Sequence, residues 1–379
     1  MLVELTEVQT MTKRLAHELA AREIAPVAAE IDETRRFPRE IIEHMGRAGL
    51  FGILIPPTYG GAGGERLDYL LAVEEIAMVS ASVASIYVKS STVAFLIATF
   101  GNEAQKQKYL PAMARGELLG AMAITETGSG ANWALTLRTR ATQEDDMVVL
   151  HGSKDFISNA GEAGVYVVLA RTSPGTGPAG ISAFLVDKAT PGLSFGTHEN
   201  KLGLRATPAG EIILDDCRVP ATQLLGKEGE GARLVPPFAA MVCAGQAAIA
   251  VGIAQAALDA SIGYVKGRTI DEPRTVAHLE QVQAAIADMS IAVETARLLT
   301  HRAVLPPGTM QPRLMLSAAV FSETMAVDVT SKAITLHGRY GSAHDFPLER
   351  CFRDAKTLSL HPVLDVVRTT IGKLVLGLA

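Results

Sequence analysis

The sequence predicts an α+β protein built as helices, then strands, then helices. Three observations carry this: apolar residues at helical spacing over residues 1–116, a switch to short β-type runs broken by turns over 117–228, and a return to long helical runs over 229–379. At 379 residues the chain exceeds one ordinary core, so these three segments are expected to form domains around a large shared interior.

Each segment follows from its residues. Thr6-Glu7-Val8-Gln9 has capping-box spacing, and Val8, Met11, Leu15 and Leu19 recur at three and four residues, so an amphipathic helix begins near Thr6 and ends near Pro26. Glu, Lys and Arg run through this stretch where a signal peptide would need an unbroken apolar block, so secretion is not expected. Loops fall at Pro38, at Pro56 to Gly61 and at Gly101. In the middle, 147–152, 165–172, 181–187 and 210–220 are β-branched and apolar, with Gly175, Gly177, Pro178 and Gly180 as turn signals, which reads as an antiparallel domain. Toward the C-terminus, 251–266, 279–304 and 314–338 carry the helical period. Leu234 to Leu258 has no formal charge over a length that would cross a bilayer. Pro236, Pro237, Gln246, Gln255 and many alanines argue instead for a helix buried in a bundle.

Composition narrows the function. With 48% hydrophobic and 20% charged residues the chain is globular rather than disordered, and a net charge of 35 − 40 = −5 supplies no field for nucleic acid or an anionic membrane. Cys217, Cys243 and Cys351 are odd in number and outside any CxxC pattern, so neither a disulfide framework nor a metal site is expected, and a reducing cytoplasm is the expected setting.

Two glycine-rich stretches allow close backbone approach to a ligand. Thr125-Glu126-Thr127-Gly128-Ser129-Gly130-Ala131-Asn132 follows an apolar run and offers the Thr125 and Ser129 hydroxyls; a capping turn of small residues is the plainer reading. Gly338-Arg339-Tyr340-Gly341 closes a long helix, where its first glycine is also a natural cap. No Walker loop, HExxH, GxSxG or EF-hand loop competes.

In order, these segments resemble the acyl-CoA dehydrogenase family of flavoproteins from end to end. The resemblance rests on Gly49-Leu50-Phe51-Gly52, Tyr59-Gly60-Gly61 and Glu74-Glu75-Ile76-Ala77, then Ala123-Ile124-Thr125-Glu126, Gly152 to Asn159, Lys201 to Arg205, Gly229-Glu230-Gly231, Arg268 and Pro347 to Lys356. It implies an N-terminal helical domain, a β-barrel-like middle domain and a C-terminal four-helix bundle in a homotetramer or homodimer. It also implies FAD as cofactor, an acyl thioester of CoA or acyl-carrier protein as substrate, and an electron-transfer flavoprotein as acceptor. By the same resemblance Ile124, Thr125 and Gly130 meet the flavin edge, and Phe156, Ile157 and Ser158 lie behind the ring. Arg268 meets the pyrophosphate of a neighbouring subunit's FAD, Gly338 and Gly341 let the cofactor pass, and Ala131, Arg205 and Cys243 face substrate.

The sequence departs from the family where chemistry needs a base. The α-proton of an acyl thioester is usually taken by a Glu in the turn after Arg-Asp-Ala; here that turn reads Leu360-His361-Pro362-Val363-Leu364. Relatives that move the Glu to the long C-terminal helix place it where this chain has Met241-Val242-Cys243-Ala244-Gly245. His361 is the remaining candidate base, with a polar turn residue as the plainer alternative. The expected activity is therefore α,β-dehydrogenation with a non-standard base; a flavin monooxygenase, a non-redox lyase or a degenerate partner subunit are the alternatives.

Overall fold

The computed structural model describes residues 4–129, 133–175, 177–306, 309–360 and 364–378. Its N-terminal part holds α1 (Glu7–Leu19), α2 (Ala28–Thr34), α3 (Arg39–Arg47), α4 (Arg66–Val79), α5 (Ala81–Phe100) and α6 (Glu103–Ala114). The expected capping box starts α1: Thr6 Oγ1 accepts the Gln9 N–H at 3.2 Å, and Gln9 Oε1 accepts the Thr6 N–H at 3.0 Å. A π-helical turn, Ala20–Ile24, carries the chain on toward Pro26. Gly101 caps α5, as its place in the sequence predicts.

The middle part contains β1 (Gly120–Ala123), the short helix α7 (Trp133–Thr136), and then β2 (Arg140–Glu144), β3 (Met147–Ser158), β4 (Val165–Arg171), β5 (Ile181–Asp187), β6 (Leu193–His198), β7 (Ala209–Pro220) and β8 (Leu224–Leu225). Strand order is β6-β7-β3-β2-β4-β5-β8, with β1 added beside β4. The turn-rich pattern predicts antiparallel strands, and most pairs are so; β1 and β2, however, each run parallel to β4. Parallel neighbours need an intervening crossover, and the chain between β1 and β4 supplies one through α7 and the β2–β3 hairpin.

The C-terminal part is α8 (Val235–Gly267), the small ribbon β9 (Thr269–Asp271) and β10 (Arg274–Thr275), α9 (Glu280–Arg302), α10 (Pro312–His337), α11 (Leu348–Leu358) and α12 (Leu364–Leu376). Pro236 and Pro237 fall in the first turn of α8, where a missing N–H costs nothing. From Ala240 to Ala254 every residue of α8 is buried, which accounts for its lack of charge. The helix α5 is likewise long and apolar enough to cross a membrane, and both are core helices, 72% buried over their most apolar windows.

Glycines set how closely α8 approaches its neighbours. A Cβ at Gly245 would stand 2.6 Å from Val88 Cγ1 on α5, and one at Gly252 would stand 2.5 Å from the Glu74 carbonyl oxygen on α4. Buried charge is mostly answered. Glu74 meets Arg297 Nε of α9 at 2.8 Å; Glu75 lies 2.9 Å from His17 Nδ1 of α1. These pairs let α4, buried on every side from Leu67 to Ala77, carry two adjacent carboxylates.

Candidate active site

The turn leaving β1 is built on a buried ion pair. Lys154 of β3 is 0% exposed and its Nζ donates to Glu126 Oε1 at 2.7 Å and to the Ile124 carbonyl at 3.3 Å. Glu126 also accepts the Arg138 N–H at 2.6 Å, the Thr139 N–H at 2.9 Å and the Thr139 hydroxyl at 2.6 Å. Burial works to raise the Glu126 carboxyl, yet Lys154 and the Thr139 donors outweigh it and hold it below the usual range. Burial pulls the Lys154 ammonium down to about 8, so the pair remains ionised at neutral pH. The Ser129 hydroxyl is spent inside the turn, donating to the Glu126 carbonyl at 2.7 Å and accepting its N–H at 2.9 Å.

This anchored turn lies against the end of β3. The Asp155 N–H donates to the Thr125 carbonyl at 2.8 Å, and the Thr127 hydroxyl bonds the Asp155 carboxylate. The β3–β7 register shifts between Lys154 and Ile157, a bulge that leaves Phe156 at φ 54° with its ring 55% exposed. Ile157 turns into the core, and Ser158 is half-buried opposite Ala209. Ile124 and Thr125 are half-buried, and a Cβ at Gly128 would meet nothing within 4 Å. A large apolar ring held out on a strained backbone beside an open glycine fits one face of a planar heterocycle such as a flavin.

A second group forms where α8 and α10 end. Arg268 caps α8 and is exposed, with its guanidinium carbon 5.9 Å from the centre of the Tyr340 ring. Tyr264 stacks on His337 at 4.1 Å, and Phe346 closes edge-on against both. Gly338 adopts φ 59°, ψ −131°, which side-chain-bearing residues avoid; a Cβ on Gly341 would stand 2.5 Å from the Ile334 carbonyl oxygen. Burial lowers the His337 imidazole and keeps it neutral, its Nδ1 donating to the Ala333 carbonyl. The structure thus brings Arg268, Gly338 and Gly341 together on the C-terminal helices. Ile124, Thr125, Phe156, Ile157 and Ser158 gather on the sheet.

Two of the residues expected at substrate have other surroundings. Arg205 donates to the Glu33 carbonyl at 3.2 Å and lies 3.9 Å from Asp32, which is itself bonded by Arg353 at 2.7 Å. This network ties the loop before β7 to α2 and α11. Cys243 is fully buried under Leu316, Ala319 and Val367, and burial pushes its thiol up to about 12, with Glu323 adding to the rise. Gly130, Ala131 and His361 lie outside the described residues.

Sequence reasoning passed over Glu126 and Lys154 as a pair, and also Lys89 and Glu323. From 81 to 94 every residue of α5 is buried except Lys89, the one charged side chain of that helix. Glu323 on α10 is 0% exposed, with neither carboxyl oxygen hydrogen-bonded. Each is a charged residue in an apolar helical pattern, a signal available before any coordinates. Among the described residues no cluster of His, Cys, Asp and Glu is arranged to hold a metal.

A helical–sheet–helical scaffold with an exposed aromatic platform on the sheet and an arginine–glycine corner on the last helices defines a flavin-binding dehydrogenase class. Profiles for the acyl-CoA dehydrogenase N-terminal, middle and C-terminal domains match residues 6–117, 121–217 and 244–366. An acyl-CoA dehydrogenase of Bacillus subtilis is 39% identical over 379 residues, 99% of this chain and 100% of that one. Among solved structures, butyryl-CoA dehydrogenase from Megasphaera elsdenii superposes with TM-score 0.96 at 33% identity, covering 99% of this chain and 100% of that one. A chain described with the electron transferring flavoprotein of Acidaminococcus fermentans does so with TM-score 0.96 at 37% identity, over 99% and 100%. The chain belongs to the acyl-CoA dehydrogenase family, whose members are FAD-dependent flavoproteins.

Proposed function

We propose that the protein uses FAD to oxidise an acyl thioester, most simply a short-chain acyl-CoA, across its α,β bond. The observation that carries this is the Phe156 platform beside the Glu126-anchored turn, which fits the flat face of a flavin in a family of flavin enzymes. Bound there, flavin would supply an acceptor for the β-hydrogen and its electron pair. The chain's own residues do the rest. Lys154 and Glu126 fix the backbone of Ile124 and Thr125, Phe156 backs the ring, and the half-buried Ser158 hydroxyl is free to donate to a ring heteroatom. Arg268 supplies a planar guanidinium for pyrophosphate; the bare glycine at 338 leaves room beside it, while Gly341 lets the turn close against the Ile334 backbone.

The M. elsdenii relative favours a short acyl chain on CoA, and the A. fermentans relative favours an electron-transfer flavoprotein as acceptor. Assembly with further copies, as dimer or tetramer, is favoured by exposed Ile291 and Leu298 on α9, Phe321 on α10 and Val375 on α12. Of these, Phe321 lines a cleft of about 520 Å³ together with Met289, Val320, Ile371 and the charged Asp288 and Lys332. Three buried, unpaired cysteines favour a reducing cytoplasm. The test is an anaerobic absorption spectrum of the flavin-loaded protein before and after a series of acyl-CoAs of increasing length. Bleaching of oxidised flavin, fastest with short chains, is expected; flavin that no acyl-CoA reduces would overturn the reading.

A further inference from the structure

The corner where α8 and α10 end carries two guanidiniums that no carboxylate neutralises. Arg268, capping α8, and Arg339, just past the end of α10, are both exposed, and among the described residues neither makes an ion pair. The acid nearest Arg268 in sequence, Asp271, lies 3.9 Å from Arg274 instead. The Arg268 guanidinium carbon stands 5.9 Å from the centre of the Tyr340 ring. Arg339 directly precedes Tyr340, its Cα about 3.8 Å from that of the tyrosine, so both arginines rise from one patch of surface.

The backbone beneath Arg339 is held, whereas its side chain is not. Gly338 turns the chain at φ 59°, ψ −131°, and a Cβ on Gly341 would stand 2.5 Å from the Ile334 carbonyl oxygen, so the turn closes directly on the last part of α10. Between these glycines and the strand-like exit, the Ser342 hydroxyl donates to the Arg339 carbonyl at 3.0 Å, and the Ala343 N–H donates to the Tyr340 carbonyl at 3.1 Å. The Tyr340 ring is steadied by Phe346, 6.0 Å away between centres. The Arg339 guanidinium thus has a fixed base and no acceptor, and a ligand oxygen meets it without displacing an existing bond. A cation there also suits the negative end of α10, yet two unneutralised cations on one patch repel, and a doubly charged anion between them removes that repulsion.

We propose that Arg339 is a second phosphate-binding residue, which with Arg268 clamps the pyrophosphate of FAD, one guanidinium to each phosphate. This rests on the flavoprotein reading above and concerns binding alone; no bond is made or broken. Each guanidinium presents paired N–H donors at the spacing of phosphate oxygens. Two of them favour a dinucleotide over FMN, whose single phosphate occupies only one.

The test is cofactor affinity rather than turnover. Full-length protein stripped of flavin is titrated with FAD and with FMN, followed by flavin fluorescence, at low salt and in sodium chloride of about 0.5 M. Arg339→Ala is expected to weaken FAD by about tenfold or more at low salt and FMN by less than about threefold. The loss for FAD should shrink in high salt, where the charge is screened. Arg339→Lys, which keeps the charge without the planar fork, should fall between parent and alanine variant. FAD affinity within about twofold of the parent in the alanine variant would overturn the proposal. An equal loss for both nucleotides at both salts would overturn it too, since that marks a residue that only shapes the turn. Should the alanine variant not fold, Arg339→Gln decides: it keeps the length of the side chain without its charge, and parent-like FAD affinity in it overturns the assignment. A parent that binds no flavin would overturn the flavoprotein reading itself, whereas a parent that binds FAD no better than its variants would overturn Arg339 alone.

Discussion

Glu126→Gln is expected to be among the most damaging single changes in the middle part of the chain. The carboxylate takes four short donors, from Lys154 at 2.7 Å, the Arg138 N–H at 2.6 Å, the Thr139 N–H at 2.9 Å and the Thr139 hydroxyl at 2.6 Å. A glutamine offers one acceptor oxygen and turns an NH2 toward donors that had an acceptor. With that oxygen at the Oε1 position, Lys154, 0% exposed, and both Thr139 donors keep an acceptor, but Lys154 loses its counter-charge and the Arg138 N–H faces an NH2. Breaking a buried pair from one side costs about 3–5 kcal/mol, and the lost hydrogen bonds are part of that sum rather than an addition. Lys154→Met should cost less, because Glu126 keeps its Arg138 and Thr139 donors. The pH dependence gives a second check. The folded Glu126 carboxyl lies below its ordinary value, so its contribution is complete above the unfolded pKa and is lost as pH falls through the folded one; parent and variant converge in acid. Lys154 in the folded parent titrates near 8 with Glu126 holding it up; without that carboxylate its folded value falls further, so the variant recovers part of its deficit as pH climbs toward about 8, and above that the two gain together. Urea unfolding followed by circular dichroism at several pH values measures all of this. A Gln variant within about 1 kcal/mol of the parent at pH 7 would refute the role given to the pair.

Gly245→Ala should destabilise by about 1–3 kcal/mol in thermal unfolding, because the new methyl meets Val88 Cγ1 at 2.6 Å and forces α5 away from α8. Phe156→Ala should leave stability within about 0.5 kcal/mol, since the ring is mostly exposed, yet weaken flavin retention by tenfold or more in a fluorescence titration. Glu323→Gln should flatten the pH profile of stability. The parent's raised carboxyl costs nothing below its ordinary 4.5 and is progressively destabilising as pH rises from there toward its folded value, so the variant gains on the parent as pH climbs above about 4.5 in denaturant titrations.

Much of this architecture was legible because local signals agreed with tertiary ones. The Thr6–Gln9 capping box, the glycines that cap α5 and α10, and the three long C-terminal helices stand where spacing puts them. The uncharged stretch of α8 is buried, as its prolines and glutamines argued. The parallel neighbours of β4 were not legible, because alternation along a strand says nothing of a partner's direction. At the site, sequence gave residue types without partners. Thr125-Glu126 drew notice for its hydroxyl and its glycines, whereas its structural weight rests on Lys154, 28 positions away. Arg205 was expected at substrate and is engaged with α2, a contact across 172 positions that no local pattern encodes. Glu323 was within reach: at the spacing of Ala319, Ala326 and Thr330 it falls on the inward face of α10, and a charge on that face is itself information.

The seam along α8 bears on how the chain comes to be folded at all. One continuous core joins Ala16 and Tyr69, Ala123 and Ile157, and Ala247 and Met325. Because α4 is covered on every side and Gly252 of α8 is part of that cover, the N-terminal helices are left with an open apolar flank until residues some 170 positions later have emerged from the ribosome and docked. The nascent first third must therefore wait, shielded or loosely collapsed, for the last third. Once docked, the two ends lock the sheet between them, so dissection at the sheet boundaries should yield insoluble fragments, whereas the two halves co-expressed should find each other.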